Sequence, residues 1–242
     1  MSTARVQSFE PESSYSRLLQ LTVRGCEVAK ESAALVTALL ASGSGERYSD
    51  VRKFEEELDT LDREINEGVT STITRVAETQ ARELLACLKF IIELERIGDL
   101  LLNAANRVVT VQSRLEAQDA SDLARMASIL ASMLGDVQQA FSDRDLKRAI
   151  LVLQADAELD RLRNLVLVRH IENPEHEPVR ESFHLVFICQ TLERAGDHAK
   201  NLAEEICHLV SGKSVRHILR GYDRSTEELF VERLRRQVSD RS

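Results

Sequence analysis

Slid against itself by 98 residues, the sequence meets its own image. Leu94-Glu95-Arg96-Ile97-Gly98-Asp99 falls on Leu192-Glu193-Arg194-Ala195-Gly196-Asp197, with Asn103 on Asn201 and Ala105 on Ala203. Upstream, Arg82 and Glu83 fall on Arg180 and Glu181, and Leu61, Asp62, Arg63 and Asn66 fall on Leu159, Asp160, Arg161 and Asn164. A shared L-E-R-x-G-D-x-x-x-N pattern at fixed spacing is the mark of an internal duplication, so whatever the first half folds into, the second half must also fold into.

Each half reads as helix. No proline occurs between Pro11 and Pro174, and apolar residues recur at helical spacing over long stretches broken only by short polar clusters. The scarcity of aromatic residues (4%) and of turn residues (9 Gly, 3 Pro) leaves little from which to build a sheet. The pattern predicts helices over 12–41, 48–77, 79–114, 119–141, 143–171 and 178–210. Ser42-Gly43-Ser44-Gly45 closes the first, Asn173-Pro174 and Glu177-Pro178 interrupt the chain before the last, and Gly212 ends it. The expected fold is all-α, a tandem repeat of two three-helix bundles made of six long helices. The bundles are expected over 10–116 and 117–211, with a tail over 212–242 carrying a short helix. The second bundle, being complete, is expected to fold on its own.

Charge and composition exclude several classes. A net charge of −8 would repel nucleic-acid phosphates, and no basic stripe with interleaved aromatics is present. No run of about 18 apolar residues occurs, and the first residues are polar, so a cytoplasmic, soluble protein is expected. Cys26, Cys87, Cys189 and Cys207 form no C-x-x-C pair and read as reduced packing residues. Ser182, Ser211 and these cysteines sit in no nucleophile motif, and His176, His184, His208 and His217 read as surface or packing residues.

The residues most suggestive of chemistry are acidic. At about 100° per residue, Glu95, Asp99 and Asn103 share one side of a helix, as do Glu193, Asp197 and Asn201. Leu84, Leu88, Ile91 and Ile92 project near Glu95, so that carboxylate continues an apolar face and must be compensated. The preceding helices supply Asp59, Asp62 and Asn66, and Asp156, Asp160 and Asn164, at helical spacing. Two such stripes can make an oxygen-only site for Mg²⁺, Mn²⁺ or iron, with Asp62, Glu95 and Asp99 in one half and Asp156, Asp160, Glu193 and Asp197 in the other. They can equally be neutralised by Arg63, Arg82, Arg161 and Arg180, or form a solvated charged face. Gly98 and Gly196 sit mid-helix, where glycine costs about 1 kcal/mol relative to alanine, which suggests a close helix crossing or room for an ion.

At these residues the chain resembles the PhoU family, whose repeats carry an E(D)xxxD signature, here Glu95-Arg-Ile-Gly-Asp99 and Glu193-Arg-Ala-Gly-Asp197. The stretch Ser211–His217 is similar to the family's segment after its last bundle helix. The resemblance runs over about residues 12–217. It implies divalent or ferric metal at the motif carboxylates. It also implies a regulatory role, restraining phosphate uptake and phosphate-starvation signalling through contacts with the phosphate ABC transporter's ATPase subunit and a sensor histidine kinase, with a homo-oligomeric assembly. The first motif continues with Leu100 and Asn106 where the second has His198 and Glu204, so the second motif is expected to bind more tightly.

Two rival readings are a di-iron helical-bundle oxidase and a metal-free helical adaptor. Glu181-Ser-Phe-His184 and Glu205-Ile-Cys-His208 have the E-x-x-H form of di-iron ligands. Both lie on the last helix, however, about 36 Å apart at about 1.5 Å per residue, too far to share one di-metal site.

Overall fold

A computed structural model describes residues 11–42, 47–172 and 180–211. The main elements are α1 Pro11–Ser42, α2 Tyr48–Thr72, α3 Glu78–Val111, α4 Ala117–Asp143, α5 Leu146–Leu167 and α6 Arg180–Ser211. All six expected helices are present. α2 and α3 stop short of the ends their apolar pattern suggests because the chain tightens into 3-10 turns at Ile73–Arg75 and Gln112–Arg114, while α5 runs on into a π turn, Val168–Glu172. The expected Gly-Ser link over 43–46, the proline-marked break over 173–179 and the tail 212–242 lie outside the described residues.

The α4–α5 corner shows how a short connection is held. Arg144 adopts a left-handed conformation, φ 56°, which costs a non-glycine residue about 1 kcal/mol. Its guanidinium offsets this by donating to the Phe141 carbonyl at 2.6 Å and to Glu83 at 2.8 Å while lying over the Phe141 ring. Asp145 then caps α5, accepting from the backbone N–H groups of Lys147 and Arg148.

α1, α2 and α3 pack on one another, as do α4, α5 and α6, giving the two bundles that the repeat predicts. The most extensive helix interfaces nevertheless run between the repeats: α1 lies on α4, and α3 lies on α6. Each of these pairs a helix with its own duplicate, the arrangement a two-fold dimer would have. α3 and α6 run antiparallel, tied by Lys89–Glu205 at 2.8 Å, Glu93–His198 at 2.6 Å, Arg107 stacked 4.4 Å from the Phe187 ring centre, and Arg114–Glu181 at 2.9 Å. Lys89 and Glu205 on one side correspond, in the repeat, to Phe187 and Arg107 on the other. One end of the interface is therefore an ion pair and its mirror image a cation–π contact.

Between these layers the apolar residues form one continuous core that includes Phe90, Ile91, Leu94 and Leu101 of α3 and Leu123, Leu130, Leu134 and Phe141 of α4. The division near residue 116 thus separates sequence repeats that share a core. That residues 117–211 fold alone is a proposal against which this shared core weighs. Among the described residues no helix is long and apolar enough to cross a membrane.

Candidate functional site

The motif glycines set the geometry of both acidic stripes. A Cβ on Gly98 would stand 2.6 Å from Leu58 Cδ1, and one on Gly196 would stand 2.4 Å from Leu159 Cδ1. Each glycine is therefore the hollow into which a leucine of the neighbouring helix fits, and the close-crossing explanation for these residues is the correct one. The same contacts correct the repeat alignment. Leu58, not Leu61, plays against Gly98 the part that Leu159 plays against Gly196, so α2 sits three residues away from its ungapped register relative to α5. Burial agrees: Leu58, Leu61, Ile65 and Val69 are buried on α2, and Leu159, Leu162, Val166 and His170 follow in the same rhythm on the second helix and its π turn. The ungapped alignment would instead put buried Ile65 opposite Arg163, which is half-buried and ion-paired.

In the corrected register Glu55 matches Asp156, Asp59 matches Asp160, and Asp62 matches Arg163. Glu55 was not among the residues singled out from sequence. The signal that could have found it is the shared acid-x-x-Leu-Asp pattern, Glu55-x-x-Leu58-Asp59 and Asp156-x-x-Leu159-Asp160.

The first stripe joins α2 to α3. Burial, then the nearby charges of Asp99, Asp59 and Asp62, push the Glu95 carboxyl above the usual glutamate range. Burial, then Asp59 and Asp99, does the same to Glu55. Five carboxylates, Glu55, Asp59, Asp62, Glu95 and Asp99, thus share one electrostatic neighbourhood. Among the described residues no lysine or arginine forms an ion pair with any of them; Asp62 accepts a hydrogen bond from Asn66 Nδ2 at 2.9 Å. Arg63 and Arg82, expected as neutralisers, turn elsewhere: Arg63 to the Asp59 carbonyl and Thr60, and Arg82 to Glu78. Ile92 is 43% exposed, so Glu95 lies at the border of the apolar face and not within it.

A raised acid pKa means that the folded state binds more protons than the unfolded state, so these glutamates cost stability at neutral pH, and the cost is removed as pH falls through their raised values. Glu55→Gln, Glu95→Gln is therefore expected to melt higher than the parent chain at pH 7 in the presence of chelator. That advantage should shrink to nothing as pH falls below the ordinary glutamate value of 4.5. Thermal melts across that range check it; a pH-independent difference would show that the shifts are not the cause.

The second stripe joins α5 to α6 and is built differently. Asp156 is buried and holds Lys200 Nζ at 2.7 Å. Arg163 reaches Glu193 at 3.1 Å and Asp160 at 3.5 Å. Burial still pushes Glu193 upward, helped by Asp197 and opposed by Arg163. Burial likewise raises Asp156 against the pull of Lys200. Arg161, the expected neutraliser, instead pairs with Glu158. Among the described residues no three His, Cys, Asp or Glu side chains already converge as a metal-ligand group. The oxygen-only chemistry of the first stripe fits a hard cation that would draw its carboxylates together. The second stripe already carries two nitrogen cations of its own.

His198, which suggested tighter binding at the second motif, does not join the stripe. Its Nδ1 lies 2.6 Å from Glu93 Oε2 of α3, and Asn201 donates to the same oxygen at 3.1 Å, so both motif residues serve the interface between repeats. Glu181 and Glu205 of the E-x-x-H sequences are likewise engaged, with Arg114 and Lys89. All four cysteines are buried, and burial pushes their thiols upward, Cys87 to about 11, as suits packing residues.

One cluster was illegible in the sequence. Asp119 Oδ1 meets His170 Nε2 at 2.9 Å and Arg169 at 2.6 Å, and Ser182 Oγ lies 3.4 Å from His170 Nδ1. The chemical order is that of a nucleophile relay. Ser182 and Asp119 are each only 1% exposed, however, so the network reads as a clamp joining α4, the π turn and α6.

Comparison with known proteins agrees with this architecture. Residues 22–108 and 123–206 each match the PhoU domain. The chain is 30% identical over 217 residues to a phosphate-specific transport system accessory protein PhoU homolog of Pseudomonas putida, covering 86% of this chain and 82% of that one. It is 28% identical over 221 residues to PhoU homolog 1 of Thermotoga maritima, covering 89% and 92%. Its fold matches the crystal structure of PhoU from Pseudomonas aeruginosa with a TM-score of 0.76 at 21% identity, over 84% of this chain and 100% of that one. The phosphate transport system regulatory protein PhoU of Streptococcus pneumoniae matches with a TM-score of 0.77 at 21% identity, over 85% and 99%. With two domain matches falling on the two structural repeats, and each E-x-x-x-D motif set against its own glycine crossing, the chain belongs to the PhoU family.

Proposed function

We propose that this protein is a regulatory accessory factor of a phosphate-specific transport system, restraining phosphate uptake and phosphate-starvation signalling. The observation that carries the reading is the two-repeat similarity, over 86% of this chain, to an accessory protein of that system. The partners in this reading are the transporter's ATPase subunit and its sensor histidine kinase, met at the cytoplasmic face of the membrane through protein contacts, with a homo-oligomer as the working assembly. No reaction is assigned. Buried thiols and the sealed Ser182 support a binding role over a catalytic one.

Divalent or ferric metal, with Mg, Mn and Fe the choices suited to oxygen donors, belongs to the same proposal. Glu55, Asp59, Asp62, Glu95 and Asp99 would hold it in the first repeat. There it would relieve the mutual repulsion of the carboxylates and stiffen the α2–α3 crossing. Deleting the gene is expected to raise phosphate-starvation gene expression in phosphate-rich medium, and a plasmid copy to restore repression. Normal induction and normal phosphate uptake in the deletion strain would refute the regulatory reading.

A further inference from the structure

We infer that the two acidic sites have diverged in kind: the second repeat pairs Asp156, Asp160 and Glu193 with its own Lys200 and Arg163, and a hard metal cation is held by the first repeat alone. The inference rests on the metal reading above for its first half and on side-chain geometry for its second.

The register set by the glycines is what makes the comparison meaningful. Position for position, the first site presents Glu55, Asp59, Glu95 and Asp99, and the second presents Asp156, Asp160, Glu193 and Asp197. Around these equivalent acids the neighbours differ in sign. Where α2 adds a fifth carboxylate, Asp62, α5 places Arg163, whose guanidinium spans Glu193 and Asp160. Where α3 has Leu102, the repeat places Lys200 on α6, 2.7 Å from Asp156. The first site therefore gathers five acids with no ion-paired cation among the described residues, and the second sets four acids against two cations.

A metal ion entering the second site would have to displace a guanidinium and an ammonium already paired with partly buried carboxylates. Glu193 and Asp156 have side chains only 14% and 11% exposed, so breaking their pairs leaves charge in a poorly solvated place. In the first site the pull of Arg96 on Glu95 and of Arg52 on Glu55 is outweighed by burial and the neighbouring carboxylates, and among the described residues an incoming cation has no ion pair of these acids to displace. This is the reverse of the ranking that His198 and Glu204 suggest from sequence, and it follows from His198 being turned toward Glu93.

The full-length protein, stripped with chelator and titrated with Mn²⁺ while free ion is followed by electron paramagnetic resonance, tests the inference. Mn²⁺ binding should be reduced at least tenfold by Glu55→Gln, Asp59→Asn and be unchanged by Asp156→Asn, Asp160→Asn. Converting the second site to the chemistry of the first, with Arg163→Asp, Lys200→Leu, should add a second binding event. Loss of binding in the second-site acid variant, or no gain in the converted protein, would overturn the inference while leaving metal binding intact. If the parent chain binds no Mn²⁺, the metal reading fails, and melts in chelator decide the rest. Glu55→Gln, Glu95→Gln should then raise Tm by about 2 °C or more, and Lys200→Leu, which leaves the buried Asp156 without its ammonium, should lower it by a similar amount. Equal shifts of the same sign would show that Arg163 and Lys200 do not distinguish the sites.

Discussion

Phe90→Ala is expected to lower the unfolding free energy of the whole chain by about 3–5 kcal/mol, and to do so in a single transition. Phe90 lies on α3 in the first repeat, fully buried, and its ring packs at 42° against Phe141 of α4 in the second, with centroids 4.5 Å apart. Truncation removes a large apolar side chain, leaves a cavity that the surrounding helices fill only in part, and forfeits the ring contact, worth about 0.5–1.5 kcal/mol beyond area. Because the lost contact belongs to both repeats, neither half should melt ahead of the other. Denaturant unfolding followed by circular dichroism, with probes in each half, measures this. A loss under about 1 kcal/mol, or a first half that melts separately, would mean that the repeats are joined more loosely than the shared core implies.

The second large effect is expected at the α5–α6 crossing. Gly196→Val should destabilise by about 2–3 kcal/mol through overpacking. Even a bare Cβ at this position stands 2.4 Å from Leu159 Cδ1. A single methyl can be met by rotating the leucine, and Gly196→Ala also gains about 1 kcal/mol of helix propensity, so alanine is expected to be nearly neutral. Valine adds two further methyl groups beside the fully buried Leu159, more volume than turning that one side chain can clear. Pairing Gly196→Val with Leu159→Ala should recover part of the loss, since both changes act on one contact. Additive losses in the double variant would show that the valine is felt somewhere other than at Leu159.

These two positions also show what could be read from the sequence. The helices and the duplication were legible because helical spacing, absent prolines and a shared motif all point the same way. The E-x-x-x-D residues were legible because Glu95 and Asp99, or Glu193 and Asp197, lie one turn apart on one strip of helix. The pairing of α2 with α3 was not. Along α2, Leu58-Asp59 and Leu61-Asp62 are both Leu-Asp pairs, and either can be laid on Leu159-Asp160. An amphipathic helix repeats itself nearly every turn, so identities alone leave its register undecided until Leu58 is seen seated against Gly98. That slip hid Glu55 and disguised Arg163 as a bystander. Lys200 and His198 were obscure for a different reason: each follows the motif in sequence, yet the helix turns one toward Asp156 and the other across to Glu93.

The packing of α1 on α4 and α3 on α6 makes this chain, in effect, a homodimer whose subunits have been joined end to end. In a true homodimer any substitution appears twice, so a carboxylate exchanged for an arginine would alter both sites together, and an ion-accepting version could not coexist with a self-neutralised one. Covalent fusion lifts that restriction. Once the halves are encoded separately, one can keep a cluster of carboxylates without an ion-paired cation among the described residues while the other ties its acids down with Arg163 and Lys200.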